Sequence, residues 1–390
     1  MSDLGAGAPD VPGLDRWVTD DQVAAVLGGP AERVELVTHN PLNAVTGGIW
    51  RVTSAERTAV CKVLTDGRDH DGPAWWAASG DPTHWNWWLR EALVYANDVP
   101  GLFRPAGLDA PTPLLIDERS DGTTVLWLEW VDGPSGQDLG VEGLAAFAGA
   151  LGRAQGRLAE GGPDHAAWRG TPWLSRGFLV GYADSKPVDE ALLDDDRAWT
   201  APRVARHLGD LRDDLRRLHH DRASLYALAG ACPRTLCHLD VWPANLLRRA
   251  DVGDGAFVLL DWAFCGDGAL GEDVANLVPD AFFDLLYPRD LVDDVAGEVE
   301  AAYLAGLRAG GWDGDERWVA LGIRSAAVKY HWLIERLLRH PDAPAVVYGG
   351  RSVEPDDLYA ARAAGLRLLC RWADEARALA ADLGVHPAPT

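Results

Sequence analysis

The chain has 390 residues, of which 47% are hydrophobic and 24% charged, and its formal net charge is −23. This length supports two lobes or domains with a substantial core, and the composition is that of a globular protein. The negative charge disfavours nucleic acids and anionic membrane surfaces as partners and favours a cationic small substrate, although an acidic surface that only serves solubility explains it at least as well. No run of about 18 uninterrupted apolar residues indicates a membrane span.

The cysteine and lysine contents are both informative. The five cysteines are odd in number and lack metal-type or framework spacing, which indicates reduced thiols in a cytosolic protein. The N-terminus MSDLGAGAPDVPG has no basic region and no apolar core, so no secretion signal is predicted and a cytoplasmic protein is expected. Lysine occurs only at Lys62, Lys186 and Lys329, with arginine elsewhere. At each of these positions we therefore ask which chemical role requires lysine instead of arginine.

Residues 1–30 are predicted to be an N-terminal extension. Residues 1 to about 16 are rich in Gly, Pro and Asp and are expected to be disordered or loosely docked. Thr19 or Asp20 caps a predicted short helix, DDQVAAVLGG, which Gly28-Gly29 closes.

Residues 31–132 are predicted to form a β-rich domain. Alternating apolar residues predict strands over Glu32–Thr38, Ile49–Thr53 and Thr58–Leu64. Between the first two strands lies the segment Thr46, Gly47 and Gly48. Glycine there lets backbone N–H groups approach phosphate oxygens closely, or it only makes a turn, and both interpretations stay open.

Lys62 lies on the third predicted strand, and Glu91 begins a helix-like stretch, LREALVYANDV. We expect Glu91 to project toward the sheet and to form an ion pair with Lys62. The alternative is a solvent-facing strand lysine and a solvated helix charge. Between them lies a long, Trp-rich insertion, residues 66–88, which packs over the sheet or borders the substrate cleft; the sequence does not decide.

The next predicted hairpin joins Pro113–Asp117 to Thr123–Val131 through a Ser-Asp-Gly turn. Gly133-Pro134 then marks the change from β-rich to helix-rich sequence. We therefore predict a domain boundary there, with residues 133–390 as the second domain.

The second domain is predicted to be mainly helical. Residues 162–200, rich in Pro and Trp, are expected to be irregular, as an insertion that shapes the acceptor site or as a covering loop. Single helices are predicted over residues 203–228, 290–309, 316–339 and 356–383. In the third of these, Lys329, His331 and Trp332 either line an acceptor cleft or belong to a core-facing helix.

The most informative stretch is Thr235 to Trp262. An apolar run leads into His238-Leu239-Asp240, Asn245 follows, and after a polar turn at 251–255 a second apolar run ends on Asp261. Two short strands thus carry acidic and amide side chains to one end. Asp240 can orient an attacking hydroxyl and accept its proton, while Asn245 and Asp261 can hold Mg²⁺ on nucleotide phosphates.

With Trp-Pro inside the loop, this H-x-D-x(4)-N … D arrangement resembles the aminoglycoside phosphotransferase family of protein-kinase-like small-molecule kinases. The resemblance covers roughly residues 30–345. It implies an α+β, bilobal protein-kinase-like fold. The N-lobe would be a small, five-stranded antiparallel sheet with one helix, and the C-lobe would be larger and mainly helical.

The resemblance also implies roles for particular residues. Lys62, held by Glu91, would fix the α- and β-phosphates under the Thr46-Gly47-Gly48 lid. Backbone groups near Glu129 and Val131 would bond the adenine edge.

In the catalytic loop, the resemblance makes Asp240 the base, gives His238 the role of holding the loop shape, and makes Asp273 a support for the loop. Asp273 is equally a candidate helix cap. Leu239 and Trp242 depart from the Gly and His that are commoner in the family. Trp242 therefore stacks on the substrate ring or merely plugs the loop, which leaves the acceptor open.

These features predict an ATP- or GTP-dependent, Mg²⁺-requiring O-phosphotransferase that acts on a small molecule with a hydroxyl group. An aminoglycoside or related antibiotic is the leading acceptor, because Glu272, Asp280 and Asp284 are placed to meet ammonium groups, although they are equally explained as a solvated helix start. The alternative is a metabolic kinase of a sugar, amino sugar, nucleoside or choline-like alcohol, which the many tryptophans would stack on or cage.

A third possibility is a pseudokinase that binds nucleotide or drug without turnover. The joint presence of Lys62, Asp240, Asn245 and Asp261 argues against it. A protein substrate is disfavoured because no Arg precedes Asp240 and no A-P-E ending is visible. No nucleic acid or membrane partner is expected.

Overall fold

The computed structural model describes residues 11–250, 256–342, 346–348 and 351–386. The chain divides into two compact units. The N-terminal unit comprises Met1–Pro134, Pro172–Arg176 and Leu247–Cys265, and the C-terminal unit comprises Ser135–Thr171, Gly177–Leu246 and Gly266–Thr390. The N-terminal unit thus recruits two later segments, which a single sequence boundary near residue 133 does not anticipate. The predicted turn at 251–255 and the first ten residues of the predicted loose N-terminus lie outside the described residues.

The strands in chain order are β1 (Arg33–Leu36), β2 (Thr46–Thr53), β3 (Thr58–Thr65), β4 (Leu108–Asp109), β5 (Pro113–Glu118), β6 (Thr123–Glu129), β7 (Ser175–Arg176), β8 (Arg234–Cys237), β9 (Leu246–Arg248), β10 (Phe257–Leu259), β11 (Gly266–Ala269), β12 (Val346–Tyr348) and β13 (Arg351–Val353).

The α-helices are α1 (Asp20–Leu27), α2 (Arg90–Ala96), α3 (Gly140–Leu158), α4 (Ala166–Arg169), α5 (Phe178–Ser185), α6 (Glu190–Asp194), α7 (Asp196–Thr200), α8 (Pro202–Leu208), α9 (Arg212–His220), α10 (Arg222–Gly230), α11 (Val274–Phe283), α12 (Val292–Ala309), α13 (Glu316–Ala326), α14 (Trp332–Arg339) and α15 (Pro355–Leu383).

The N-terminal unit is organised around a five-stranded antiparallel sheet in the order β1-β2-β3-β6-β5, as predicted. Alternate residues of β2, including Trp50 and Val52, are buried, as the period of two requires. They pack with Val63 and Trp127 of neighbouring strands and with Leu27 of α1. The sheet therefore buries one face under the N-terminal helix.

Helix α1 confirms the predicted capping: the Thr19 hydroxyl accepts the Gln22 N–H at 3.3 Å, and the helix ends at Gly28. Order begins earlier than predicted, because Leu14 lies in a short 3-10 turn and is buried against the same core.

The C-terminal unit is largely helical, and its most extensive helix pair is α3 with α12. Glycines let the two backbones approach closely. A Cβ added to Gly152 would lie 2.2 Å from the Tyr303 carbonyl oxygen, and one added to Gly306 would lie 2.2 Å from that of Gly149. Only residues without a side chain fit this contact.

Several of the helices predicted as continuous are broken into shorter ones in the structure. The helix predicted over 203–228 is α8, α9 and α10, and the helix predicted over 316–339 is α13 and α14 joined by a 3-10 turn at Ala327–Tyr330. The region 162–200, predicted to be irregular, contains α4 to α7, and the β12–β13 hairpin was not foreseen. Such short elements are stabilised by tertiary packing, which periodicity over a few residues does not reveal.

All five cysteines lie among the described residues; each is free and buried. None of the helices in the described ranges is both long and apolar enough to cross a membrane.

The close α3–α12 contact predicts opposite effects for two Gly→Ala substitutions. Gly152→Ala should lower the free energy of unfolding by about 1–3 kcal/mol, because its methyl group overpacks a backbone contact. Gly297→Ala is the matched control, since nothing lies within 4 Å of an added Cβ there, and it should stabilise α12 by about 0.4–1 kcal/mol. Urea denaturation of both variants measures the difference. Equal stability of the two variants would refute the close-contact explanation.

Candidate active site

Lys62 lies on β3 in the N-terminal unit with its side chain turned away from solvent. Its Nζ is 2.6 Å from Glu91 Oε2 and 2.8 Å from Asp261 Oδ1. Lys62 and Glu91 are 5% and 1% exposed, whereas the Asp261 side chain is 40% exposed. The predicted Lys62–Glu91 ion pair is therefore present, and Asp261 joins it as a second carboxylate.

The electrostatics of this cluster keep the lysine charged. Burial alone would lower the pKa of Lys62, but the charges of Asp261 and Glu91 outweigh it and raise the pKa above its ordinary value. Burial raises the pKa of Glu91, and the adjacent Lys62 opposes that change. An ammonium held between two carboxylates is fixed in position as well as in charge.

Asp261 follows β10, which pairs in parallel with β4 through Phe257 and Leu108. Its backbone is left-handed, with φ at 58°, a conformation that costs free energy for a residue other than glycine. The next residue, Trp262, is fully buried, and its Nε1 donates to the Leu259 carbonyl oxygen at 2.9 Å. The indole thus anchors the turn from which Asp261 projects.

Arg90, the first residue of α2, is completely buried and donates hydrogen bonds only to backbone carbonyls in the described structure. These acceptors are Trp173 at 3.2 Å, Trp85 at 2.9 Å, Ala263 at 3.0 Å, Pro82 at 2.8 Å and His84 at 2.5 Å. Burial lowers the pKa of Arg90 to about 10, so the guanidinium remains charged at neutral pH. Arg90, the neighbour of Glu91 in sequence, thus holds both the insertion (residues 66–88) and the segment after Asp261 in place.

The Trp-rich insertion, residues 66–88, packs inside the N-terminal unit. The Trp85 ring meets Phe264 edge-on at 5.7 Å between centroids. The Asn86 amide nitrogen donates to Asn43 Oδ1 at 3.1 Å, which links the insertion to the loop before β2. The insertion therefore braces the segment that carries Asp261.

The expectation that Thr46, Gly47 and Gly48 form a loop between strands was wrong, because they begin β2. Thr46 pairs with Leu64 and Gly48 with Val63, with an irregularity between them. Gly48 has φ at 151°, and a Cβ there would lie 2.2 Å from the Trp50 ring. Packing and strand geometry thus account for glycine at this position, and the nucleotide-lid role stays a prediction.

Glu129 ends β6, and its N–H donates to the Thr112 carbonyl oxygen at 2.9 Å. Its carboxylate accepts from Arg249 and from the Thr112 N–H. Any adenine contact at Glu129 therefore depends on its carbonyl oxygen. Val131 is 8% exposed, and its adenine contact likewise stays a prediction.

The catalytic-loop motif lies in the C-terminal unit after β8. Leu239 is fully buried and has φ at 70°. Its N–H donates to Asp273 Oδ1 at 2.7 Å, and its carbonyl oxygen accepts from Asn276 Nδ2 at 2.8 Å. The strained residue is thus held on both sides, which keeps the loop in this conformation.

Asp273 is a buried anchor for the loop. Besides the Leu239 N–H, its carboxylate accepts the His238 N–H at 3.0 Å and Gln155 Nε2 at 2.7 Å. Its side chain makes no capping bond to α11. The loop-support interpretation is therefore the one that the contacts favour over the helix-cap interpretation.

Asp240, His238 and Asn245 are joined by hydrogen bonds. The Asp240 N–H donates to His238 Nδ1 at 3.3 Å. Asn245 Nδ2 donates to Asp240 Oδ2 at 2.9 Å and to the Asp240 carbonyl oxygen at 3.1 Å. Because the amide nitrogen faces Asp240, Oδ1 is the Asn245 atom to which the predicted role of metal ligand falls.

The two predicted Mg²⁺ ligands fit that ion chemically. A carboxylate from Asp261 and an amide oxygen from Asn245 are hard oxygen donors, and Mg²⁺ is commonly held by few protein ligands together with phosphates and water. No group of three or more His, Cys, Asp or Glu residues in the described ranges is arranged to hold a metal without such help.

The predicted acceptor residues differ in their accessibility. Glu272 is 2% exposed and accepts the Ala269 N–H at 2.9 Å, and Asp284 is also 2% exposed. Asp280 is partly buried and accepts the Tyr330 hydroxyl at 2.5 Å. Trp242 is partly exposed. Thus Asp280 and Trp242 are partly exposed, whereas Glu272 and Asp284 are buried, and acceptor binding by Asp280 and Trp242 stays a prediction.

Sequence reasoning missed Arg90, Gln155 and Asn276. Arg90 stands next to Glu91, but nothing local distinguishes it from a surface helix arginine. Gln155 and Asn276 belong to helices whose patterns indicate only which faces are buried. Their roles depend on partners distant in sequence.

The solved structures that match the chain include spectinomycin phosphotransferase APH(9)-Ia in complex with ADP and spectinomycin, at 11% identity and a TM-score of 0.50, covering 91% of this chain and 99% of that one. Also matched are a thermostable mutant of aminoglycoside phosphotransferase APH(4)-Ia (18% identity, TM-score 0.47, 91% and 99% covered) and amicoumacin kinase hAmiN (14% identity, TM-score 0.47, 89% and 88% covered). No curated protein matches the chain.

Fold and sequence together give the class and the family. The antiparallel sheet, the mainly helical second unit and the first of these structural matches define a protein-kinase-like phosphotransferase fold. Residues 50–318 match the model of the phosphotransferase enzyme family. The chain belongs to that family and is a small-molecule kinase, as the resemblance implied.

The Arg90 contacts predict that Arg90→Met lowers the free energy of unfolding by about 3–5 kcal/mol, because several buried carbonyls lose their donor at once. The control is Arg33→Met, whose side chain is 68% exposed and pairs with Glu35, and which should cost less than about 0.5 kcal/mol. Denaturant unfolding measures both values. An Arg90 variant as stable as the control would contradict the anchoring role.

Asp273 predicts a pH dependence of stability. Burial raises its pKa from 3.8 to about 6, even though the His238 and Leu239 N–H groups oppose the shift. The folded state therefore holds the proton more tightly, so this contribution to stability is full below about pH 4 and is lost as pH rises through about 6.

Between pH 4 and pH 7, the free energy of unfolding of the wild-type protein should accordingly fall by up to about 3 kcal/mol relative to that of Asp273→Asn. Denaturant unfolding at both pH values measures that difference. The control is Asp315→Asn, because the pKa of exposed Asp315 is lowered by its bond to Arg317 and the sign is opposite. A difference independent of pH would show that Asp273 titrates normally.

Proposed function

We propose that the chain transfers the γ-phosphoryl group of ATP or GTP to a hydroxyl group of a small molecule, with Mg²⁺. The observation that carries the proposal is the buried Lys62, held by Glu91 and Asp261 within 2.8 Å. Lys62 lies on a β strand, and its buried ammonium pairs with two carboxylates from other elements. A purely structural role would not need this charge, because an apolar residue would fill the same space without the cost of desolvation. Binding of a nucleotide phosphate would need it.

Within this proposal, Lys62 binds phosphate oxygens of the nucleotide, and Glu91 fixes the direction of its ammonium. The Glu129 carbonyl and the Val131 N–H bond the adenine edge, and the start of β2 at Thr46, Gly47 and Gly48 covers the phosphates. Asp261 and Asn245 would hold Mg²⁺, which would supply positive charge against the negative charge that develops on the phosphates.

Asp240 is the proposed base. The acceptor oxygen forms its bond to the γ-phosphorus while the bond from that phosphorus to the β–γ bridging oxygen breaks, and the nucleoside diphosphate leaves with that electron pair. The hydroxyl proton passes to the Asp240 carboxylate. Asn245 and His238 hold Asp240 in place through their hydrogen bonds to it.

Two acceptor classes are compatible with these roles. A cationic aminoglycoside or related antibiotic is favoured by the net charge of −23 and by the partly exposed residue Asp280. A sugar, nucleoside or similar polyol is favoured by the buried Lys329, whose Nζ lies 4.9 Å from the Tyr330 ring. Trp242, partly exposed two residues after Asp240, is proposed to contact either kind of acceptor. The small-molecule acceptor and the five reduced thiols together support a cytoplasmic location.

The proposed base predicts a separation between turnover and nucleotide binding. Asp240→Asn should lower kcat by about 100-fold or more, because a positioned base contributes that much, and it should keep the thermal stabilisation by Mg-ATP or Mg-GTP. Asp261→Ala should lose that stabilisation. Coupled ADP release against an acceptor panel, with thermal shift on the same samples, measures both.

The control for charge removal is Asp315→Asn, an exposed helix cap that should change neither property. Full activity in Asp240→Asn would remove Asp240 from the chemistry. Absence of stabilisation of the wild-type protein by either Mg-nucleotide would refute the kinase proposal itself.

A further inference from the structure

Lys329 is the most unusual side chain in the C-terminal unit. It lies in the 3-10 turn between α13 and α14 and is 4% exposed. Its Nζ is 5.4 Å from the Phe178 ring centroid, 5.5 Å from that of Tyr182 and 4.9 Å from that of Tyr330. Across the described ranges, the ammonium forms no hydrogen bond and no ion pair.

Burying an ammonium without an acceptor is costly, because its three donors lose water and gain nothing equivalent. Cation–π contacts return only part of that cost. Burial lowers the pKa of Lys329, while the charges of Asp280 and Asp240 oppose the shift. The group thus lies near the proposed base and still has donors to offer.

The rings around Lys329 form a small aromatic box. Phe178 and Tyr182 are stacked at 5.3 Å with an interplanar angle of 19°. Such a group of rings is the arrangement that recognises ammonium ligands. Here the ammonium of the chain itself occupies it, so a substrate ammonium has no reason to enter.

A second lysine lies against the same box. Lys186 is 6% exposed, and its Nζ is 4.6 Å from the Tyr182 ring. Two of the three lysines in the chain therefore converge on one tyrosine. The Lys329 charge offsets that of Asp280, whose carboxylate also accepts the Tyr330 hydroxyl. The surroundings suit an acceptor that brings oxygen atoms instead of positive charge.

We propose that Lys329 is an acceptor-specificity residue, whose ammonium donates to a hydroxyl or carboxylate oxygen of a sugar-like acceptor and, with Lys186 and the Phe178–Tyr182–Tyr330 box, disfavours polycationic acceptors. This inference rests on the proposed phosphotransferase function and narrows its substrate class to neutral or acidic polyols.

The test uses four probes that separate charge from shape: glucose, glucuronate, glucosamine and kanamycin. Each is measured by coupled ADP release with Mg-ATP and by thermal shift with Mg-AMP-PNP. Glucose or glucuronate should give more turnover or stabilisation than glucosamine and kanamycin. Lys329→Gln should lower kcat/KM for the preferred probe by about 10- to 100-fold, the effect of one charge-assisted hydrogen bond.

Two further variants separate specificity from folding. Lys329→Arg keeps the charge and should retain part of the activity with the same ranking of probes. Arg317→Gln removes the same charge from an exposed position on α13 and should change nothing. A structural lysine would instead lower activity toward all probes equally and lower Tm.

Preference for kanamycin or glucosamine, or unchanged activity in Lys329→Gln, would overturn the inference. If no probe responds although Mg-ATP stabilises the protein, the specificity assignment is wrong and the phosphotransferase proposal stands. If Mg-nucleotide also gives no response, the phosphotransferase proposal fails and the specificity assignment fails with it.

Discussion

The ion cluster of Lys62, Glu91 and Asp261 is the interaction on which the N-terminal unit depends. The Lys62 ammonium lies within 2.8 Å of an oxygen of each carboxylate, and Lys62 and Glu91 are almost fully buried. Such a cluster does not stabilise a fold as well as apolar residues of the same size would. Their geometry must therefore be maintained by the surrounding structure. Arg90 does so through hydrogen bonds to five backbone carbonyls. Trp262 does so through its hydrogen bond to the Leu259 carbonyl oxygen, which anchors the turn at Asp261.

In each unit, one buried charged side chain binds several backbone groups, and the sign of that charge differs between the two units. In the N-terminal unit a buried cation, Arg90, gathers carbonyl oxygens from the segments next to Glu91 and Asp261. In the C-terminal unit a buried anion, Asp273, gathers the N–H groups of His238 and Leu239. Each satisfies backbone groups that neither a helix nor a sheet can pair, which is what an irregular loop requires when it is buried. Each therefore stabilises a strained residue, Asp261 or Leu239, that regular structure would not tolerate.

What the sequence could predict follows from the range of each interaction. His238, Asp240 and Asn245 lie within one loop, so their spacing contains the geometry, and Lys62 and Glu91 belong to elements with clear periodicity. Arg90 contacts carbonyls up to 173 residues away, and no local pattern encodes them. The same reason explains the breaks in the predicted helices and the strand start at Thr46: contacts between elements, such as the pairing of Thr46 with Leu64, decide them.

The distribution of basic residues is consistent with this division. Lys62, Lys186 and Lys329 are all at most 6% exposed, whereas arginines supply the surface ion pairs, such as Arg317 with Asp315 and Arg33 with Glu35. Arginine binds carboxylates through a planar fork, and lysine presents a compact charge with donors that can reorient. A chain that uses arginine almost everywhere has no solubility reason to keep three buried lysines. One of the three lies between two carboxylates, and the other two lie beside one tyrosine, so all three serve positions inside the protein, where a compact charge fits and a planar fork does not.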